Sequence, residues 1–285
     1  MDFLKLDDFE EEKPILDVEK AFKDSEIDLS KEVSRPPLAI SIGLDDRSYN
    51  GINYPLRFGT YGNISLITGE EKSRKSFLKS LIEACSIGGR SNEFTNGLEI
   101  QGHGIVENNK WIISIDAEQD EYDAWLNGIR IPKMVGNLYP RYKVLKWREK
   151  SKDERLAMLD WLFMESPYKD ELGLVFLDGY VDFVKDFNNL EECDLFTTKL
   201  MKYSSIRKCH ISGILHLNPE TTKARGHLGT ILGQKCETVV IIKDEGDYSK
   251  VICKRGRGKK FKDFTIRIDD QWLPYISDED IDTFI

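Results

Sequence analysis

The sequence predicts an α/β protein: a doubly wound, mostly parallel sheet flanked by helices, with antiparallel strands at its C-terminal end. Three observations predict it. From Leu38 onward, short apolar runs alternate with helical patterns, the order of βαβ units. Within the runs the apolar residues are nearly continuous, as in strands covered by helices on both faces. In the last part of the chain the helical patterns disappear, and three short β runs (TVVIIK, KVICK, FTIRI) follow one another through turns.

The elements justify themselves in order. Residues 1–37 show only weak amphipathic spacing (Ile15, Val18, Phe22) and stop at Pro36-Pro37, so they read as an acidic tail or docking segment. NISLIT (Asn63–Thr68) is a buried strand ending at Gly69, and Ser76–Gly88 follows as a helix with Phe77, Leu78, Leu81, Ile82 and Cys85 at helical spacing. WIISIDAE (Trp111–Glu118) is the next strand, with a helix through Tyr122, Trp125 and Leu126. KVLKW (Lys143–Trp147) precedes a helix over Glu154–Met164. LGLVFLD (Leu172–Asp178) is the most apolar strand, Leu190–Arg207 a long helix, and HISGILH (His210–His216) a fifth strand. The core is therefore expected over 38–268, with 269–285 as a second acidic tail. No internal repeat or low-complexity tract interrupts this order.

Composition narrows the function. At 285 residues, with 40% hydrophobic and 32% charged side chains, the chain can bury a sizeable core under a heavily solvated surface. No run approaches the roughly 18 apolar residues of a spanning helix, and the start lacks a secretory pattern, so a cytoplasmic protein without a membrane partner is expected. Cys85, Cys193, Cys209, Cys236 and Cys253 are scattered singly, which argues for reduced buried thiols rather than bridges or structural zinc. The net charge of −9 argues against a surface that clings everywhere to nucleic acid. It is unevenly spread: residues 1–35 hold 12 acidic and 6 basic side chains and 269–285 hold 6 acidic and none basic, while Lys250–Lys262 carries seven basic and no acidic residue. The body is mildly basic and the ends are acidic.

The chemistry concentrates at strand ends. Gly69-Glu70-Glu71-Lys72-Ser73-Arg74-Lys75-Ser76, followed by Phe77, lies between a strand and a helix. It keeps the first glycine, the lysine and the hydroxyl of a phosphate-binding loop, in which backbone N–H groups cradle phosphates, the lysine meets the β/γ oxygens and the hydroxyl meets Mg²⁺. Arg74 replaces the glycine before the lysine and is expected at a positive φ, which disfavours it. A surface turn capping a helix is the plainer alternative. Asp178, ending the most apolar strand, is placed as Mg²⁺–nucleotide sites place an acid. Glu118 could activate a water, with Asp116 as a polar strand-end residue behind it.

Together these residues resemble the RecA-like ATPases, and within them the hexameric RepA/DnaB-type replication ATPases of bacterial mobile elements and phages. LVFLDGYVDFVKDFNNLEE and ILHLNPETTKARGHLGT are similar to segments of that family, and its mobile-element versions carry a KSRKS-type loop. The resemblance implies a RecA-like fold and Mg²⁺-dependent ATP hydrolysis. Gly69 to Phe77 would hold the nucleotide, Lys75 and Ser76 the phosphates and metal, Asp178 the metal's water shell and Glu118 the attacking water. His216 would sense the γ-phosphate. It also implies a homo-oligomer, a hexameric ring or a filament, with Arg255 or Arg257 as a finger supplied in trans. Lys223, Arg225 and His227, after the fifth strand, would track single-stranded DNA. The loop Gly179–Glu192 is acidic on balance, and its Phe183 and Phe187 read as core. The acidic ends could bind a replication or mobilisation protein. Two other functions stay open: a non-hydrolysing nucleotide-binding adaptor or loader, and a RecA-like strand-annealing or recombination protein.

Overall fold

The computed structural model describes residues 17–47, 51–217 and 226–277. The chain divides into residues 1–35 and 36–285. The first unit holds a seven-residue helix, α1 (Val18–Asp24). Asp17 caps it, its carboxylate accepting the Lys20 N–H at 3.0 Å, and Lys23 pairs with Glu19 one turn back. Nothing in α1 is buried, and Phe22 is 78% exposed.

The second unit contains β1 (Leu38–Leu44), β2 (Pro55–Thr60), β3 (Ile64–Gly69), α2 (Lys75–Ile87), β4 (Ile100–Gly102), β5 (Trp111–Asp116), α3 (Glu121–Val135) and β6 (Tyr142–Lys146). It continues through α4 (Lys152–Met164), β7 (Leu172–Asp178), α5 (Leu190–Arg207), β8 (His210–His216), α6 (Gly226–Lys235), β9 (Thr238–Asp244), β10 (Ser249–Gly256), β11 (Phe264–Ile268) and β12 (Pro274–Ile276). A nine-stranded sheet has the order β12-β11-β10-β9-β3-β8-β7-β5-β6. The run from β9 to β6 is parallel, and β10, β11 and β12 are added antiparallel. The α/β class and the mostly parallel sheet with antiparallel additions are as the sequence predicts.

Side-chain alternation along the strands builds two cores. In β7, Leu174 and Phe176 face one layer with α2 and α3, while Val175 and Leu177 face the other with α4, α5 and α6. That double burial explains the unbroken apolar runs. At roughly 25 cal/mol per Å² of apolar surface, burying each such side chain contributes about 1.5–3 kcal/mol before entropy is counted. All five cysteines are buried and unbridged. Among the described residues, no helix is long and apolar enough to cross a membrane.

The structure departs from the sequence reading in three places. A separate three-stranded antiparallel sheet, β2-β1-β4, covers α2 through Ile40, Ile42, Phe58 and Ile100. Helix α6 begins at Gly226, inside the segment Leu217–Gly229 that reads in the sequence as a loop after the fifth strand. Gly226, Gly229 and Gly233 lower its intrinsic propensity, but Leu228, Ile231 and Leu232 are buried at helical spacing. The expected tail from 269 is a strand over Pro274–Ile276, paired with β11 and buried at Leu273 and Ile276, so the core runs past 268. Proline at the first position of an edge strand costs no ladder bond.

Candidate phosphate-loop site

Strand β3 lies between β8 and β9, with Gly69 in register with His216 on one side and Ile242 on the other. The helix after β3 joins one layer and the helix after β8 the other, so the C-terminal ends of these two strands open a crevice where ligands bind in parallel sheets. A cleft of about 610 Å³ lies there, lined by Glu71 to Phe77, Glu118, Asp178 and His216, among others. Glu70 is exposed beside it and Gly69 is buried at its base. The loop, the two candidate carboxylates and the histidine therefore share one cavity, within the usual range for ligand sites.

The loop is shaped by its own chemistry. A Cβ on Gly69 would collide with the Ser73 hydroxyl and the Ile242 carbonyl, so only glycine leaves β3 here. Ser73 is buried, and its hydroxyl donates to Glu70 O at 2.8 Å. Lys72 and Arg74 both sit at positive φ (61° and 68°), as expected for Arg74. Lys75 Nζ folds back onto the loop, donating to Gly69 O at 3.2 Å and to Glu70 O. Burial pulls its ammonium down to about 8, against the pull of Asp178 and Glu118.

Glu118 stands at the end of β5 because Asp116, behind it, turns the chain. One Asp116 oxygen accepts the N–H groups of Glu118 (3.1 Å) and Gln119 (2.8 Å). The Glu118 carboxylate reaches to within 3.7 Å of His216 Nε2, and that neighbour holds it below the usual glutamate range. Asp178 is paired with Asp116 across β7 and β5.

Several working residues were missed in the sequence. Lys79, one turn beyond Lys75, is 2% exposed and pairs with Asp178 at 3.1 Å. It also donates to Ser114 Oγ at 3.2 Å. One further turn on, buried Glu83 accepts from the Tyr142 hydroxyl. Buried Arg155 donates to the carbonyls of Ala117, Trp147, Arg148 and Asp182, tying together the ends of β5, β6 and the turn after β7. Asp182, in that turn, is pushed up to about 6 by burial. Arg130 lies 3.8 Å over the Phe77 ring and donates to Trp272 O, edging a second cavity of about 490 Å³ with Tyr122 and Leu126. The Lys75-x-x-x-Lys79-x-x-x-Glu83 spacing was the one available signal, since it puts three charges on a single helix face.

Other candidate residues lie elsewhere. Gly256 pairs with Thr238 at the start of β9, the end of the sheet opposite the loop. There Arg255 donates to Gly233 O at 2.6 Å, and Arg257 donates to Asn63 Oδ1 and Lys235 O, so both meet the C-terminal end of α6 in their own chain. His227 is in the first turn of α6, while Lys223 and Arg225 lie outside the described residues. Phe183 is fully buried and stacked on Phe196, as the sequence suggests.

The donor set fits a hydrated Mg²⁺ bound with a nucleotide. Ser76 offers a hydroxyl in the first turn of α2 and Asp178 a carboxylate in the same cleft. Among the described residues no three of His, Cys, Asp and Glu gather as an all-protein cage. Mg²⁺ usually keeps several waters and takes its other ligands from substrate phosphates. No model of a known protein family matches the chain, and no curated protein matches it.

Proposed function

We propose that the chain is a Mg²⁺-dependent ATPase of the RecA-like class, working as a ring or filament on single-stranded DNA. The observation that supports it best is the gathering of Lys75, Ser76, Glu118, Asp178 and His216 round one cleft at the switch between β3 and β8. The backbone N–H groups at the start of α2 and the Lys75 ammonium bind the phosphates, Lys75 leaving the Gly69 and Glu70 carbonyls to do so. Ser76 and Asp178 would hold Mg²⁺, which supplies charge neutralisation on the phosphates. Glu118, kept ionised beside His216, accepts the proton of the water that attacks the γ-phosphate, giving ADP and phosphate. His216 is in contact with that carboxylate and in register with Gly69, which suits a residue that reports the phosphate state to the segment after β8.

The DNA contact through Lys223, Arg225 and His227, the oligomer and the arginine finger belong to the same proposal. Arg255 and Arg257 lie at the sheet end opposite their own loop, so a second copy would have to supply either one. A second reading, a nucleotide-gated adaptor without turnover, is favoured by Lys79, whose ammonium already occupies Asp178.

Steady-state ATP hydrolysis with Mg²⁺, with and without single-stranded DNA, tests both. Wild type is expected to turn over faster with DNA. Glu118→Gln should keep nucleotide affinity and lose about 10²–10⁴-fold in rate. Lys75→Ala should weaken ATP binding at least about tenfold. Binding without turnover would leave the adaptor, and no binding at millimolar ATP would remove both readings.

A further inference from the structure

Arg74 occupies a backbone position that glycine would fill at no cost. Its φ of 68° and ψ of 28° lie in the left-handed region, immediately before α2. A long L-side chain is disfavoured there, so its presence asks for a compensation. The guanidinium supplies one. Nη1 donates to Asp244 Oδ1 at 2.7 Å, to Ser249 Oγ at 2.9 Å and to Tyr248 O at 3.1 Å, and Nη2 donates to Gly246 O. All four acceptors belong to the tip of the β9–β10 hairpin. Asp244 Oδ1 also accepts the Gly246 N–H at 3.0 Å, so the carboxylate that grips the arginine also shapes the turn. The other end of the loop, Gly69, is in register with Ile242 of the same β9. Both ends of the phosphate loop are therefore fixed to one hairpin.

We infer that Arg74 is a positioning residue: its guanidinium fork fastens the phosphate loop to the β9–β10 hairpin and holds the loop in the curve that receives phosphate. The inference rests on reading this loop as a nucleotide site. A glycine loop reaches that curve through backbone freedom, whereas this one is held in it by a side chain. The planar fork matters, because a lysine at the same position would carry the charge without several fixed donors.

Substituting Arg74 gives opposite signs for a tether and for a residue that is only tolerated. Arg74→Gly relieves the backbone cost, so a tolerated arginine predicts ADP affinity equal to or tighter than wild type. A tether predicts ADP binding weakened about tenfold or more, since charge-assisted hydrogen bonds are lost. It also predicts faster amide exchange over 70–76 in the nucleotide-free protein. Titration calorimetry with ADP in the absence of metal reads the first, and hydrogen-exchange mass spectrometry the second. Arg74→Lys should fall with the glycine variant. Asp244→Asn keeps an acceptor for Gly246 and loses only the charge, so it should weaken ADP binding in wild type and add nothing in Arg74→Gly. Unchanged affinity or unchanged loop exchange in a folded Arg74→Gly overturns the inference while the nucleotide reading stands. Failure of wild type to bind millimolar ADP removes the nucleotide reading, and the inference with it.

Discussion

Lys79 shows how much of this site depends on a residue that touches no expected ligand. Its ammonium sits between Asp178 and Ser114, and it pulls against the burial and the Asp178 charge that raise the Asp116 carboxyl above the usual aspartate range. Lys79→Met keeps the bulk of the stem but leaves two carboxylates uncompensated. Breaking a buried pair from one side costs about 3–5 kcal/mol, and urea unfolding of the variant should show a loss of that size. A change below about 1 kcal/mol would mean that the pair is not desolvated as described. At this scale the sequence was informative wherever the chemistry falls on a local pattern: Lys75, Ser76, Glu118 and Asp178 each lie within two residues of a strand end or helix start. Arg155 and Arg130 were not legible, because their partners lie far away along the chain, and the helical spacing of Lys79 from Lys75 marks its face but not its partners Asp178 and Ser114. Arg155 works through carbonyls as distant as Ala117 and Asp182, and no spacing in a single sequence encodes such contacts.

Among the elements, the parallel strands and the helices between them were nearly all readable, because the central strands are buried on both faces and α2 and α3 carry clear apolar stripes. The three-stranded sheet was not. β4 is only three residues long, and β1 reaches β2 through registers that shift repeatedly, which blurs any period of two. Helix α6 was hidden by its glycines, one of which has a contact reason: a Cβ on Gly226 would meet Phe187 and Asn188. In β8 the tightest point is Gly213, where a Cβ would fall inside the Tyr180 ring that packs over the strand. Gly213→Ala should therefore destabilise the fold by about 1–3 kcal/mol through overpacking. The same substitution at Gly233, which has open space around it, should leave the melting temperature unchanged or raise it slightly. Thermal melts of the two variants side by side check the contrast.

For the whole molecule, the end of the sheet opposite the cleft contributes a response to acid. His210 is fully buried, its ring nitrogens meeting Ser65 Oγ at 2.9 Å and Thr60 O at 3.1 Å, and burial depresses it to about 4. Unfolded, it takes a proton near 6.5, so between pH 6.5 and 4 the unfolded chain binds more protons and stability falls with pH, by up to about 3 kcal/mol. Glu237, 3.8 Å away and raised by burial, takes up its proton in the folded state and works in the opposite direction. His210→Gln removes only the first effect, so wild type should lose more stability than the variant on going from pH 6.5 to 4. Equal losses in urea titrations at the two pH values would contradict the buried neutral imidazole.

The place of β3 has a consequence for how the chain is made. Among the described residues its partners in the sheet are β8 and β9, yet it emerges from the ribosome about 140 residues before either of them. A nascent chain that has reached Arg207 contains the complete phosphate loop but no strand on which β3 can lie. Loop closure over that span must precede any reward from pairing. The apolar β3 and its loop therefore wait, unpaired, until β8 and β9 have been made, and only then does the cleft take shape.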